Sequence, residues 1–517
     1  MKNFKKAVTI LLTVLLSLSA AACSGNPVTP SSEVSEQTSS STGEMAAITG
    51  GTDVSASSTT GESMSSQVET TTTKTSTTKN NANDSSSSDS STKPQTDPEK
   101  GNKSLLDGLD FKGKYFTIAY TNDKTPDEAE KAMLKKFKQK FNCRISTPVI
   151  AYDTYLDTLS KKVLSGGRYG VIMLESTHFP TALINNLALP LNSYFTDKDL
   201  YDPEHIEKGG ISLSLSDCFR GKDGKLYGLA DPLSGVTGLY FYNKQALEDA
   251  GFGGAKDPYK LWTQGKWTWA AFEEMAKAFA NPAQDKYLID TVHGLVESTG
   301  ASYISRKSDT EFSVNLKSDP RVFAAFNQIQ EWINAGYLKK GEYQIFNYSG
   351  LASGKYPMVM GTRIHYTSIK KQIAEAKSAA WNGGKTDLLG VVPPPQQKEG
   401  TYNLFATGAP VCIGAGKGSA DPRFAVAYLL YKSNQSNYTS TDPYAITSAE
   451  QKVLNDIALV GKVNIFYQGF KDTTTTAAVQ CHNMAEEIIK GADVTATLNK
   501  YQSVLEGLRD TQMKSWK

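Results

Sequence analysis

The chain has 517 residues, 55 of them basic and 53 acidic, with a formal net charge of +2. Near-neutrality argues against a nucleic-acid binder, which carries a basic footprint, and the length suits two lobes better than one simple core. Five cysteines without a CxxC pair and five histidines without metal spacing leave zinc ribbons, redox motifs and metal sites unsupported, so no metal and no cofactor is expected.

Lys2, Lys5 and Lys6 precede an apolar run from Ala7 to Leu18, and Ala20, Ala21 and Ala22 then lead into Cys23. This is the pattern of a secretory signal, and the run is too short for a bilayer, which needs about 20 apolar residues. A cysteine in this place resembles a bacterial lipobox, although Ala20 stands where that motif usually has Leu. The resemblance implies cleavage after a signal peptide of residues 1–22 and a lipid on Cys23. Residues 23–103 are mostly Ser, Thr, Gly and Asn. They bury too little surface to offset the entropy of ordering. We read them as a flexible, lipid-anchored tether with a root-mean-square span of roughly 50 Å.

The body alternates strands and helices. Tyr115–Tyr120 reads as a strand, followed by a helix that Thr125 caps, with Pro126 at its first position and Ala129, Met133, Phe137 and Phe141 on one face. Cys143 to Ile150 reads as a second strand, 155–164 as a helix stopped by Gly166 and Gly167, and 169–174 as a third, fully apolar strand. Strands follow at 239–243, 293–297, 357–361, 388–392 and 411–414. Helices are expected through Gln245 to Ala250, over 269–279, from Pro320 with Val322, Phe323, Phe326, Ile329 and Ile333 on one face, and from Pro422. From Ser448 onward the chain reads mostly helical. Cys143 and Cys412 lie in apolar runs and read as buried thiols. The alternation predicts an α/β fold with a parallel sheet between helices. Ligands of such sheets bind at the carboxyl ends of strands, which points to Tyr120, Asn122 and Asp123 and to Glu175, Ser176 and His178.

Six segments carry a resemblance to a known family. In order they are Gly228-Leu-Ala, Leu239-Tyr-Phe-Tyr-Asn-Lys244, Trp267-Thr-Trp-Ala-Ala-Phe-Glu273, Gly354-Lys-Tyr-Pro-Met-Val-Met-Gly361, Gly390-Val-Val-Pro-Pro394 and the stretch from Ala415 to Tyr431. Together they resemble the extracellular solute-binding proteins of bacterial ABC importers, in the carbohydrate-binding branch that includes maltose-binding protein. The likeness covers about Lys114 to Leu508. It implies a two-lobed, periplasmic-binding-protein-like (Venus flytrap) fold with a hinge and a ligand cleft. Hinge crossings are placed near 232–238, 392–395 and 439–444. The first lobe is then 104–232 plus 395–440, and the second is 233–391 plus 445–517. The resemblance also implies a monomer on the outer face of a Gram-positive cell membrane, capturing a sugar or oligosaccharide for permease subunits driven by an ATPase.

Sugar sites pair flat apolar faces with hydroxyl-binding polar groups. The resemblance implies roles for Glu297 and Ser298, and for Arg363 at the place where relatives often stack a tryptophan. Arg363 would bind hydroxyls or an acidic sugar, with Tyr366 as a stacking ring. Tyr240, Trp267 and Trp381 are further stacking candidates, each with a core alternative. Asp231, in the hinge region, either binds ligand or caps a turn. Gly414-Ala-Gly-Lys-Gly-Ser419 is not a phosphate loop, because Gly418 follows Lys417 where Ser or Thr is needed. Two other classes stand beside this reading. A secreted glycosidase would set Glu175 and Glu297 about 5–10 Å apart, but no GxSxG or HExxH signature accompanies them. A surface sensor or a binder of a non-sugar solute would use the same fold.

Overall fold

The computed structural model describes residues 103–121, 125–126, 128–202, 209–232, 237–292, 294–341, 347–401, 403–406, 412–434, 443–460, 462–465 and 467–516. All fall in one of the chain's two compact units; the other, Ser24–Pro94, lies outside the described residues, as do Cys23, the signal and the tether. Among the described residues no helix is long and apolar enough to cross a membrane.

Strand β1 (Tyr115–Thr121) is buried from Ile118 to its end. Helix α1 (Glu128–Lys140) turns Met133, Leu134 and Phe137 inward and carries acids in its first turn and lysines in its last, which suits the helix dipole. The strand expected over 143–150 is two strands, β2 (Arg144–Ser146) and β3 (Val149–Ile150), both parallel to β1. Pro148, which has no N–H for a ladder, stands between them. Helix α2 (Tyr155–Leu164), β4 (Val171–Leu174) and β5 (Ala188–Leu189) follow, with a short helix α3 (Leu213–Ser216) before the hinge.

The second half opens with β6 (Thr237–Asn243) and α4 (Trp269–Phe279). The strand expected at 293–297 is instead a short helix, α5 (Leu295–Ser298), entered through Gly294 at φ 94°; His293 lies outside the described residues. A hairpin of β7 (Ile304–Ser308) and β8 (Glu311–Val314) precedes α6 (Pro320–Asn334), whose cap Asp319 accepts from Arg321 N. Phe323, expected on the buried face of α6, is 42% exposed, while the rest of that expected face, Val322, Phe326, Ile329 and Ile333, turns inward. Then come β9 (Met358–Thr362), α7 (Tyr366–Ala376), β10 (Leu389–Val392), β11 (Asn403–Ala406), β12 (Cys412–Gly416) and α8 (Arg423–Ser433). The tail holds α9 (Ser448–Val460), an unforeseen strand β13 (Lys462–Ile465), α10 (Ala477–Ile489) and α11 (Val494–Ser515).

These strands make two main sheets, one per lobe. The first has the order β2-β1-β4-β12-β5, with β3 also on β1. It is mixed rather than parallel, because β12 enters from the second lobe at the cleft end, pairs Cys412 with Leu174 and runs back antiparallel to β4. The second sheet has the order β10-β6-β11-β13, with β9 also on β6. Gly390 lets β10 lie beside β6, since a Cβ there would enter the Tyr242 ring. β11 belongs to this second sheet, where Asn403 pairs with Lys462, and Gln396 bridges to Thr268. The four cysteines Cys143, Cys218, Cys412 and Cys481 are buried free thiols.

Candidate functional site

On the first lobe, the carboxyl ends of β1, β3 and β4 lie side by side. Glu175 follows β4 directly and is 7% exposed. Its Oε2 accepts from the Tyr152 hydroxyl at 3.1 Å, and that hydroxyl lies 3.3 Å from Thr177 Oγ1. Glu175 N donates to His178 Nδ1 at 3.2 Å, and His178 N donates back to Glu175 O at 2.7 Å. The His178 ring stacks on Tyr155 with centroids 5.4 Å apart. Ser176 is buried beside them. At the end of β1, Thr121 Oγ1 is buried without a hydrogen-bond partner. Tyr152 was missed in the sequence; reading Pro148 as a strand break would have placed it just past a third carboxyl end.

The second-lobe candidate, Arg363, lies in the turn after β9. Because β9 runs antiparallel to β6, Thr362 pairs with Thr237, where the chain arrives from the first lobe. Arg363 comes next. Its Nη1 is buried and has no hydrogen-bond partner. Burial pushes its guanidinium pKa down, and the charge of Asp231 pulls it back up. Asp231 belongs to the first lobe, next to Ala230, which bridges Ser212. The two residues are therefore coupled electrostatically across the hinge. Beside them, His365 Nδ1 lies 2.9 Å from Thr362 Oγ1, and burial holds the His365 pKa down to about 4.

Several of the other sequence candidates pack into the cores. Tyr120 is 1% exposed, with its hydroxyl 2.7 Å from Glu130 Oε1 and 3.0 Å from Tyr428. Tyr240 is fully buried against Phe272. Trp267 donates to Pro393 O at 2.8 Å, and Trp381 to Leu351 O at 2.8 Å. Tyr366 packs edge-on against Phe241, at 5.5 Å. Glu297 is enclosed in the second lobe, where a carboxylate oxygen accepts from Gly294 N at 3.1 Å. Ser298 accepts from Trp269 Nε1 at 3.1 Å and donates to Leu295 O. Asn122 and Asp123 lie outside the described residues. Among the described residues, no group of three His, Cys, Asp or Glu side chains could hold a metal.

Residues 132–456 match the family model of the bacterial extracellular solute-binding proteins. No curated protein matches the sequence. Among solved structures, the sugar-binding protein MalE from Xanthomonas citri is similar with a TM-score of 0.55 at 16% identity, covering 77% of this chain and 98% of that one. The galacto-N-biose-/lacto-N-biose I-binding protein of the ABC transporter from Bifidobacterium longum gives 0.54 at 15%, covering 79% and 98%. An extracellular solute-binding protein from Staphylococcus aureus in complex with maltose gives 0.52 at 14%, covering 76% and 97%. These likenesses establish the two-lobed fold, and the family match spans more than half of the sequence. The chain belongs to the bacterial extracellular solute-binding proteins.

Proposed function

We propose that this protein is a lipid-anchored binding subunit, not an enzyme, that captures a carbohydrate by lobe closure and passes it to an ABC permease driven by an ATPase. The coupling of Arg363 to Asp231 carries the reading. A donor fork on one lobe and an acceptor pair on the other suit adjacent ligand hydroxyls, which accept from the first and donate to the second. Glu175 and Tyr152 add polar groups on the first lobe. A ligand that touches both lobes favours the closed arrangement by its differential affinity for it. The sugars in two of the solved relatives, lacto-N-biose and maltose, and the description of a third as sugar-binding support carbohydrate as the cargo. A micromolar affinity, about −8 kcal/mol, suits a scavenger.

A thermal-shift screen of mono- and oligosaccharides tests this. One glycan class should raise the melting midpoint by mass action and survive long incubation unchanged. Turnover of the glycan would replace a binder with a hydrolase, and a shift only with peptides or amino acids would remove the sugar. Labelling of the expressed protein with a radioactive fatty acid, lost in C23A, checks the anchor.

A further inference from the structure

The end of the first lobe farthest from the cleft is built as a second surface. In a parallel βαβ arrangement the helices run back against the strands, so helix ends and strand starts share a pole. Arg144 N donates to Lys114 O and Gly170 N to Thr117 O, which fixes the starts of β1, β2 and β4 together. Thr121, at the cleft end of β1, is six residues from Tyr115, about 20 Å away at some 3.3 Å per residue.

Six exposed cations gather at this pole: Lys138 and Lys140 at the end of α1, Arg144 on β2, Lys161 and Lys162 at the end of α2, and Arg168 before β4. None of the six has an ion pair with an acid among the described residues. Asp157 stands four residues before Lys161 on α2 without an ion pair to it, and other acids of this end are engaged. Asp421 is taken by Lys114 and Arg423 at 3.5 and 2.6 Å, and Asp110 Oδ1 accepts from Lys112 N at 2.7 Å. Helix dipoles favour cations at helix ends and account for the four lysines. They do not account for the apolar side chains set among them. Leu164 is 88% exposed and Tyr115 55% exposed, the latter under the Arg144 guanidinium at 6.0 Å. A groove of about 420 Å³ opens between Lys162, Gly166, Gly167 and Arg168.

We infer that this pole docks on an anionic lipid bilayer. Basic side chains gain from the surface potential of acidic headgroups. An exposed leucine and tyrosine gain only where there is an interface with an apolar interior to enter. That combination selects a bilayer over a soluble polyanion. Docked by this pole, the lobe holds its cleft end about 20 Å from the lipid, open to solvent for ligand capture.

Co-sedimentation of the chain from residue 23 onward, carrying C23S so that no acyl chain contributes, tests the inference. Equimolar phosphatidylglycerol–phosphatidylcholine vesicles should bind it at low salt and release it at high salt. Each basic residue should contribute about fivefold, so the charge reversal K138E/R144E/K162E/R168E should weaken binding at least about a hundredfold. L164S should weaken it about threefold to tenfold. The substituted residues are all exposed, so unchanged melting of each variant shows that the fold is kept. Equal binding to pure phosphatidylcholine, unchanged binding after the reversal, or no vesicle binding at all would overturn the proposal. So would polyphosphate held as tightly as vesicles with no effect of L164S.

Discussion

Arg306 Nη2 donates to the backbone oxygen of Arg220 at 2.7 Å, and this bond joins the two lobes. Nη1 donates to Asp217 O at 3.1 Å, and the guanidinium lies over the rings of Phe179 and Phe312 at 5.6 and 5.2 Å. The hairpin that carries Arg306 is fastened to the second lobe, since Gln502 Nε2 donates to Val314 O. R306M keeps the aliphatic bulk and leaves two first-lobe carbonyls without these donors. The expected loss is about 2 kcal/mol in urea denaturation. R306K should recover less than half of it, because one ammonium does not span both carbonyls as a planar fork does. Equal stability of all three proteins would show that water serves these carbonyls as well.

The same seam is aromatic at its centre. Phe179 of the first lobe meets Tyr467 at 5.4 Å and Trp516 at 5.3 Å, both of the second, and is fully buried. Gly469 lies so close to Phe179 O that no Cβ would fit. F179A should cost about 3–5 kcal/mol. A double-mutant cycle with W516A should show a coupling of about 1 kcal/mol. A coupling near zero would mean the two rings contribute independently, each to its own lobe.

Most of the body's elements could be read from periodicity and caps. Tyr155–Leu164 and Trp269–Phe279 fall where their apolar spacing and flanking residues put them. What could not be read is what depends on contacts distant in sequence. β13 is a short strand between two helices and becomes one only by pairing with β11. At the candidate site, the carboxyl-end rule pointed to Glu175, Ser176 and His178, which do follow β4. It said nothing about which aromatics are spent on the core. Trp267 and Trp381 read as platforms or as core, and their bonds to Pro393 O and Leu351 O, far off in the sequence, favour the core. Arg306 carried no signal of its role between the lobes, since its first-lobe partners lie 86 and 89 residues away.

Trp267 tests that core placement. W267F keeps a ring in the same space and removes the N–H that Pro393 O accepts. Stability should fall by about 1–2 kcal/mol, read by chemical denaturation. Ligand affinity, once a ligand is in hand, should change less than about twofold. A tenfold loss of affinity at unchanged stability would put Trp267 back in the binding site.

Glu297 gives the fold a pH dependence. Burial pushes its carboxyl up to about 7 from an ordinary 4.5, against the hydrogen bond from Gly294 N. The folded chain therefore holds this proton more tightly than the unfolded chain. The stability linked to it is complete below about pH 4.5, falls as pH rises through 4.5 to 7, and stays lower above. The amplitude is about 3 kcal/mol. E297Q, a neutral isostere, should flatten that part of the profile and be the more stable protein at pH 8. A wild-type profile as flat as that of E297Q across this window would mean that the carboxyl titrates alike in both states.

Arg363 should show stability and binding moving in opposite directions. Its Nη1 is buried without a partner, so the ligand-free protein bears an uncompensated desolvation cost. R363M removes that cost and keeps the stem's packing. The ligand-free protein should gain about 1 kcal/mol in denaturation. Ligand affinity should fall at least about tenfold, since the ligand loses the guanidinium donors that its hydroxyls would accept from. R363K should fall between the two, because an ammonium keeps the charge without the fork. The Asp231 side of the pair predicts a matching loss in D231N, with no gain in ligand-free stability. If R363M instead lowers ligand-free stability and leaves the ligand-induced melting shift intact, Arg363 serves the hinge and not the cargo.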